Sequence, residues 1–206
     1  MKNTKQLIDL IKNDCKAKGI KLHLPKTRKV VYSDNPYLLS SGWFSDSKKK
    51  LACGVGGPQI RWIQTLTHEY CHSLQWIEGD KVWTDLKKGM GTTRFFKGFL
   101  NGEKFTKKQV DTYLGRSQRL ELDCEQRTME LLAPFCTQKE YDSFVQKANS
   151  YILFYTVLKH TQKWYDNPPY HIKEIVDKMP PYFCTMEQYA DISVHLLDLY
   201  KKKCYN

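Results

Sequence analysis

The spacing of hydrophobic residues divides the chain into a front part with strands and a back part with helices. Over residues 4–18, apolar side chains recur at helical spacing, which predicts a helix that ends at Gly19. The period then shortens to two, and strands are predicted at 20–24, 29–32, 42–44 and 51–55. We therefore expect residues 20–56 to form a small, mostly antiparallel sheet.

A second helix is predicted directly after this sheet. Pro58 occupies the favoured first position of a helix, apolar residues follow at helical spacing to about Ile77, and Gly79 marks the end. The next segment, 79–104, contains several glycines and little periodicity. We predict a long loop there, and long loops in compact domains are often functional.

Helices dominate the pattern after residue 104. Three capping boxes, in which a threonine precedes Gln or Glu by three positions, mark helix starts at Thr106, Thr137 and Thr185. Predicted helices run from about Ser117 to Leu132, from Thr137 to Tyr165, and from Thr185 to near Lys203. The pattern predicts an α+β fold with a helical C-terminal half. No repeat or linker divides it, so we expect a single domain over 1–206.

Composition excludes several classes of protein. The chain has 206 residues, of which 41% are hydrophobic and 27% are charged, which is typical of a globular protein and not of a disordered or fibrous one. No apolar run approaches the ~18 residues needed to cross a bilayer, so no membrane is expected as a partner. The first residues lack the apolar core of a signal peptide, and the seven cysteines form no Cys-x-x-Cys pair. We expect a cytoplasmic protein with reduced, buried thiols.

The net charge of +11 is unevenly distributed. Residues 1–50 contain 12 basic and 4 acidic residues, and so carry +8 of it. Such a region can contact nucleic acid, an anionic surface or an acidic partner such as an acidic substrate, or it can be a solvated, lysine-rich face. No aromatic-rich strand motif or zinc-finger spacing accompanies the charge, so support for nucleic acid as a partner is weak.

One short segment carries the clearest chemistry in the chain. His68 and His72 stand four residues apart on the second predicted helix, so their side chains share one face. Two imidazoles placed in this way can bind one Zn²⁺. Glu69 lies one position round the helix, where it can act as general base on a metal-activated water. The alternative is an amphipathic helix with two structural histidines.

A catalytic zinc site needs a third protein ligand. No histidine occurs between His72 and His160, so the third ligand is sought among the acids of the next helix. Glu121 is the best candidate there, with Asp123 and Glu125 as alternatives. Glu125 follows Glu121 by one helical turn and can accept the N–H of a ligating histidine. Taken alone, this acidic segment would be a solvated helix face.

These motifs together resemble the gluzincin branch of zinc metallopeptidases, in particular the ImmA/IrrE type. His68-Glu69-x-x-His72 precedes Glu121-x-x-Cys124-Glu125, and 129–134 and 42–44 resemble segments of the same family. The resemblance implies a zincin-like core over 20–135, in which the sheet packs on a zincin-type helix pair, and a helical extension over 136–206. It also implies Zn²⁺ bound by His68, His72 and Glu121. Similar proteins are encoded by tailed bacteriophages, which implies the host cytoplasm.

The resemblance also implies how a substrate is held. The strand before the motif helix, about 50–55, would offer its edge to an extended polypeptide. An oxyanion donor is expected from Tyr113, Tyr151, His160 or His171, among which the sequence does not choose. We expect a zinc-dependent metallopeptidase with Glu69 as general base. The alternative is a non-catalytic binding or virion assembly protein on the same scaffold, whose basic N-terminal region contacts nucleic acid or an acidic partner.

Overall fold

The computed structural model describes residues 1, 3–32 and 35–205, with the side chains of 35 and 36 left aside. The chain divides into two compact units. The first unit comprises Met1–Asp80 and Arg127–Gln138, and the second comprises Lys81–Gln126 and Lys139–Asn206. Each is described by itself. The fold is α+β with a helical C-terminal half, as predicted, whereas the predicted single domain, with a core over 20–135 and an extension over 136–206, stays a prediction.

The first unit contains two helices and five strands from the front part of the chain. In chain order they are α1 (Thr4–Ala17), β1 (Lys21–His23), β2 (Val30–Tyr32), β3 (Asn35–Ser40), β4 (Gly42–Ser45), β5 (Lys50–Cys53) and α2 (Gln59–Ile77). Both predicted helices are confirmed to within a residue or two. Strand β3 was not predicted, because the sequence pattern stopped at residue 32 and resumed at 42.

The strands form two separate sheets. In the larger one the order is β1-β5-β4, where β5 pairs in parallel with β1 and antiparallel with β4. The smaller sheet is the antiparallel hairpin of β2 and β3. Two of the three pairings are antiparallel, as expected, but the larger sheet is mixed. The parallel pair arises because β1 and β5 are joined through the intervening hairpin and β4, so that both strands run in the same direction.

Helix α2 packs its apolar face on β4 and β5. Ile63, Leu66 and Cys71 on that face are fully buried, and Phe44 of β4 contacts Trp76 with ring centroids 5.7 Å apart. On another side, the Tyr70 hydroxyl donates to Asp14 Oδ2 of α1 at 2.6 Å. The helix that carries the predicted histidines is therefore held by the sheet and by α1.

The described part of the second unit contains helices and connecting segments but no strand. Its helices are α3 (Lys81–Thr84), α4 (Thr92–Leu100), α5 (Lys107–Leu132, whose last turns belong to the first unit), α6 (Gln138–Thr161), α7 (Lys173–Val176), α8 (Met186–Ala190) and α9 (Val194–Cys204). The core centres on Phe95, Phe154 and Tyr200. Gln118 joins α5 to α6 by donating to the Ile152 carbonyl oxygen at 2.9 Å. Among the described residues, no helix is both long enough and apolar enough to cross a bilayer.

Three predictions in this region were wrong. Residues 79–104 are not a long loop, because Phe95 and Phe99 lie one turn apart and bury a helical face of α4. The helix predicted from Ser117 is the continuation of the one that begins after Thr106, so α5 is a single helix. The segment from Thr185 to Lys203 contains two helices instead of one, because the chain leaves helical geometry at Asp191.

Candidate metal centre

Helix α2 places the two predicted histidines side by side. The His68 and His72 rings are half-buried and meet edge to face, with centroids 4.6 Å apart. One ring nitrogen of each lies within 4.8 Å of the other. A single zinc ion binds imidazole nitrogens at about 2.0–2.1 Å, so two nitrogens on one ion lie at most about 4.2 Å apart, which is close to the spacing of these two rings.

A buried glutamine sets the proton position on His72. Gln75 is fully buried one turn further along α2, and its Oε1 lies 2.8 Å from His72 Nδ1. Since an amide oxygen only accepts hydrogen bonds, Nδ1 carries the proton and Nε2 keeps its lone pair. This is the arrangement in which a metal-binding histidine is oriented by an outer partner. The pair His68 and His72 therefore fits zinc in residue type, spacing and tautomer.

Sequence reasoning missed Gln75. We expected the acceptor for a histidine N–H to be Glu125 on the next predicted helix, and not a residue of the motif helix itself. The sequence contained one signal for Gln75: it is a polar residue three positions after His72, on a helix face that is otherwise expected to be buried. For His72 the Nδ1 position is occupied by Gln75. The assignment of Glu125 to a histidine stays a prediction.

The predicted general base lies against the first residue of β4. A Cβ atom added to Gly42 would come within 2.7 Å of Thr65 Cγ2 and 3.1 Å of Glu69 Cγ. Only glycine therefore allows the strand to approach this face of α2. Burial, followed by the negative charge of Glu69, raises the pKa of the Cys53 thiol of β5 to about 12. Glu69 consequently lies where the sheet and the histidine helix meet.

The strand expected to receive a substrate is not an edge strand. Residues 50–53 form β5, which lies in the centre of its sheet with β1 on one side and β4 on the other. The prediction for 50–55 was wrong because it did not foresee the parallel partner β1. The edge next to Glu69 belongs to β4, whose Gly42 is paired with Cys53 of β5.

Glu121 lies in a buried, tyrosine-rich part of the second unit. Its side chain is on α5, 9% exposed, and Tyr155 of α6 donates its hydroxyl proton to Glu121 Oε1 at 3.4 Å. The Tyr151 hydroxyl lies 3.2 Å from that of Tyr155. Because the Tyr155 proton is already directed to Glu121, Tyr151 donates to Tyr155. Burial, followed by the negative charge of Glu121, raises the pKa of both tyrosines well above the ordinary value.

The structure also gives the positions of the other predicted site residues. Glu125 and Cys124 are buried on the same helix, and Asp123 is half-buried. Of the four candidate oxyanion donors, Tyr113 accepts a hydrogen bond from the Met90 backbone at 2.9 Å and stacks on Phe95. His160 and His171 are exposed. Tyr151 alone among the four is joined to Glu121, through Tyr155, in the described part of the chain.

Glu121 and Glu125 belong to the second unit, and His68, Glu69 and His72 belong to the first. Their assembly into one site stays a prediction. Comparison of the chain with family models, with curated proteins and with solved structures gives no match in any of the three. The chemistry of the site is therefore inferred from its own residues.

Proposed function

We propose that this chain is a zinc-dependent hydrolase that cleaves polypeptides in a reducing cytoplasm. One observation carries the proposal: a single helix holds two histidines with a fixed tautomer and, between them, a glutamate set against an edge strand. Two structural histidines would not need the intervening acid. The resemblance to gluzincin peptidases supports the same function.

In this proposal His68, His72 and Glu121 bind zinc. Neutral imidazole nitrogens and a carboxylate are a donor set that zinc accepts in catalytic sites with an open fourth position. When bound there, zinc supplies Lewis-acid polarisation and lowers the pKa of a coordinated water to about 7. Gln75 keeps His72 Nε2 unprotonated for this purpose. Tyr155 holds one oxygen of Glu121 in place.

In this proposal, β4 binds the substrate and Glu69 transfers the proton. An extended peptide pairs with the outer edge of β4 and gains backbone hydrogen bonds there without side-chain specificity. Its scissile bond then lies near Glu69, since a Cβ atom added to Gly42 at the start of β4 would lie 3.1 Å from Glu69 Cγ. The Glu69 carboxylate takes a proton from the attacking water and later delivers it to the leaving amine nitrogen.

The test separates zinc binding from catalysis. Glu69→Gln should retain zinc at wild-type stoichiometry and lose hydrolysis of a denatured protein such as casein by roughly 10²–10⁴-fold, because only the general base is removed. Glu130→Gln makes the same chemical change at an exposed position of α5 and should leave both properties unchanged. Full proteolysis by Glu69→Gln would overturn the proposed mechanism.

The ligand assignment has its own matched variants. Metal content measured by elemental mass spectrometry should fall in His72→Ala and in Glu121→Ala. Cys124 is the control, because it lies on the same helix as Glu121 and thiolates also bind zinc. Cys124→Ser should keep its zinc. If Cys124→Ser lost its zinc and Glu121→Ala kept it, the third ligand would be the Cys124 thiol and not Glu121.

A further inference from the structure

In the described part of the chain, the hairpin of β2 and β3 exposes several large apolar side chains. Val31 is 52% exposed, and in β3 the consecutive residues Tyr37, Leu38 and Leu39 are 94%, 49% and 54% exposed. Scattered single apolar residues on a surface are ordinary, but several in one short ribbon mark an interaction site. This ribbon is part of the first unit and is separate from the histidine helix.

Two of the exposed apolar residues lie opposite each other. Val31 pairs with Leu39 across the hairpin, so these two side chains share one face of the ribbon. The register then shifts, because the next pair joins Tyr32 to Asn35. Tyr37 and Leu38 lie in the irregular part of β3 between these two pairings, so the exposed apolar residues form one short, irregular ribbon.

The ribbon is fixed to the sheet at its base. Trp43 of β4 is buried, and its Nε1–H donates to the Val31 carbonyl oxygen at 2.8 Å. Val30 is also buried, in a small cluster with Trp43 and Ala52. The base is therefore anchored and the apolar part projects from it.

Three cations precede the hairpin directly. Lys26, Arg28 and Lys29 are exposed, and the only acidic residue in the sequence between positions 21 and 40 is Asp34. Their backbone is held in place, because Gly56 N–H donates to the Thr27 carbonyl oxygen at 2.8 Å. A Cβ atom on Gly54 would lie 2.6 Å from that same oxygen. The positive charge is thus held at the base of the apolar ribbon.

Against the expectation from the sequence that no membrane is a partner, we propose that the β2–β3 hairpin docks this protein on the surface of an anionic lipid bilayer. Apolar and aromatic side chains next to clustered cations match an interface where acyl chains lie beneath anionic headgroups. Tyrosine is a residue type that favours this depth, since its ring is apolar and its hydroxyl polar. Nucleic acid would use the cations but would leave Val31, Leu38 and Leu39 in water.

The insertion is shallow. A two-stranded ribbon has outer backbone N–H and C=O groups that hydrocarbon cannot satisfy. Only the apolar side chains enter the acyl boundary, while the outer strand edges remain at headgroup level, where water is available. Each cation near such a surface strengthens binding by roughly fivefold. Binding therefore depends on both the apolar residues and the charge.

The experiment is co-sedimentation of the full chain with vesicles of phosphatidylcholine, with and without about one quarter phosphatidylglycerol. We expect binding to the anionic vesicles only. Neutralising Lys26, Arg28 and Lys29 together to Ser should weaken it by about 100-fold, three fivefold steps combined. The matched control, Lys201, Lys202 and Lys203 together to Ser, removes the same charge elsewhere and should have little effect.

The apolar half of the proposal is tested in the same assay. Leu38→Ser combined with Leu39→Ser should lower binding at least 10-fold, whereas Val194→Ser, at a residue 71% exposed in the second unit, should not. Equal binding to both vesicle types, or none to either, would overturn the proposal. Loss of a dimer in the leucine variant would identify a second copy as the occupant. Salt-sensitive binding to duplex DNA without vesicle binding would identify nucleic acid instead.

Discussion

At the scale of single residues, the hydrogen bond between His72 Nδ1 and Gln75 Oε1 decides which ring nitrogen is available to a metal. Replacing Gln75 by Leu keeps the side-chain size at this fully buried position and removes the acceptor. The proton is then no longer held on Nδ1, and the zinc dissociation constant should rise by about 10–100-fold. Competition with a chelator of known affinity measures this change.

Gln75→Glu is the companion variant, because it retains an oxygen acceptor for His72 Nδ1. It should bind zinc within a few-fold of wild type. If Gln75→Leu bound zinc as tightly as the wild-type chain, the glutamine would be a structural residue of α2 and not a partner of the histidine.

Gly42 is a second residue whose role depends on one contact. Gly42→Ala places a methyl group 2.7 Å from Thr65 Cγ2 and 3.1 Å from both Glu69 Cγ and the Ala52 carbonyl oxygen. We expect the free energy of unfolding to fall by about 1–3 kcal/mol, as for other overpacked sites. Urea denaturation of the purified chain measures it.

The control for Gly42 is the same substitution inside a helix. A methyl group on Gly115 of α5 meets nothing closer than Arg119 Nη1 at 3.5 Å. Gly115→Ala should stabilise the chain by roughly 0.5–1 kcal/mol, because alanine is the better helix former. Equal effects of the two variants would mean that β4 does not depend on its close approach to α2.

At the scale of elements, α1 and α2 are joined by a charged hydrogen bond. Burial alone would raise the pKa of Asp14, but hydrogen bonds from Lys18 and from the Tyr70 hydroxyl outweigh it and lower that pKa. A carboxyl with a lower pKa in the folded state stabilises the fold above its unfolded pKa of about 3.9. That contribution is lost as the pH falls through the folded pKa.

Asp14→Asn should therefore destabilise the chain most near neutral pH. We expect a loss of about 1–2 kcal/mol there, typical of a hydrogen bond to a charged group. The difference from wild type should shrink as the pH falls below about 4, when Asp14 itself becomes protonated. Denaturation curves recorded from pH 7 to about pH 3 test this, and a difference independent of pH would contradict it.

Elements with local signals could be predicted from the sequence, and elements that depend on distant partners could not. The capping boxes at Thr106 and Thr185 form as expected, with Gln109 and Gln188 closing each box. Their signals lie within four residues. The parallel pairing of β1 with β5 joins residues almost thirty positions apart, and no short pattern encodes it.

The same distinction separates the parts of the candidate site. His68, Glu69 and His72 were found from their spacing, because a helix converts spacing into a shared face. The edge strand was misplaced, since an edge is defined by the absence of a further pairing partner. Tyr155 was not linked to Glu121, because that contact joins α5 to α6 across 34 positions of sequence.

At the scale of the whole molecule, the positive charge is concentrated in one part of the chain. The first 50 residues carry +8 of the net +11 and belong to the first unit. A charge of this size attracts anionic surfaces over about a Debye length, roughly 8 Å in physiological salt. Apolar residues of the β2–β3 hairpin lie in the same segment, so attraction and shallow insertion can act together.

Zinc itself should stabilise the whole chain if the proposed ligands bind it. A ligand at a hundred times its dissociation constant adds about 2.7 kcal/mol to the free energy of unfolding. For a chain of this size each kcal/mol corresponds to about 2–4 °C in the melting temperature. Removing zinc with a chelator should therefore lower the melting temperature by about 5–10 °C. In Glu121→Ala and in His72→Ala, the chelator should cause no such shift, whereas in Glu69→Gln it should cause the full one. A chelator shift that persists in both ligand variants would place the stabilising metal elsewhere in the molecule.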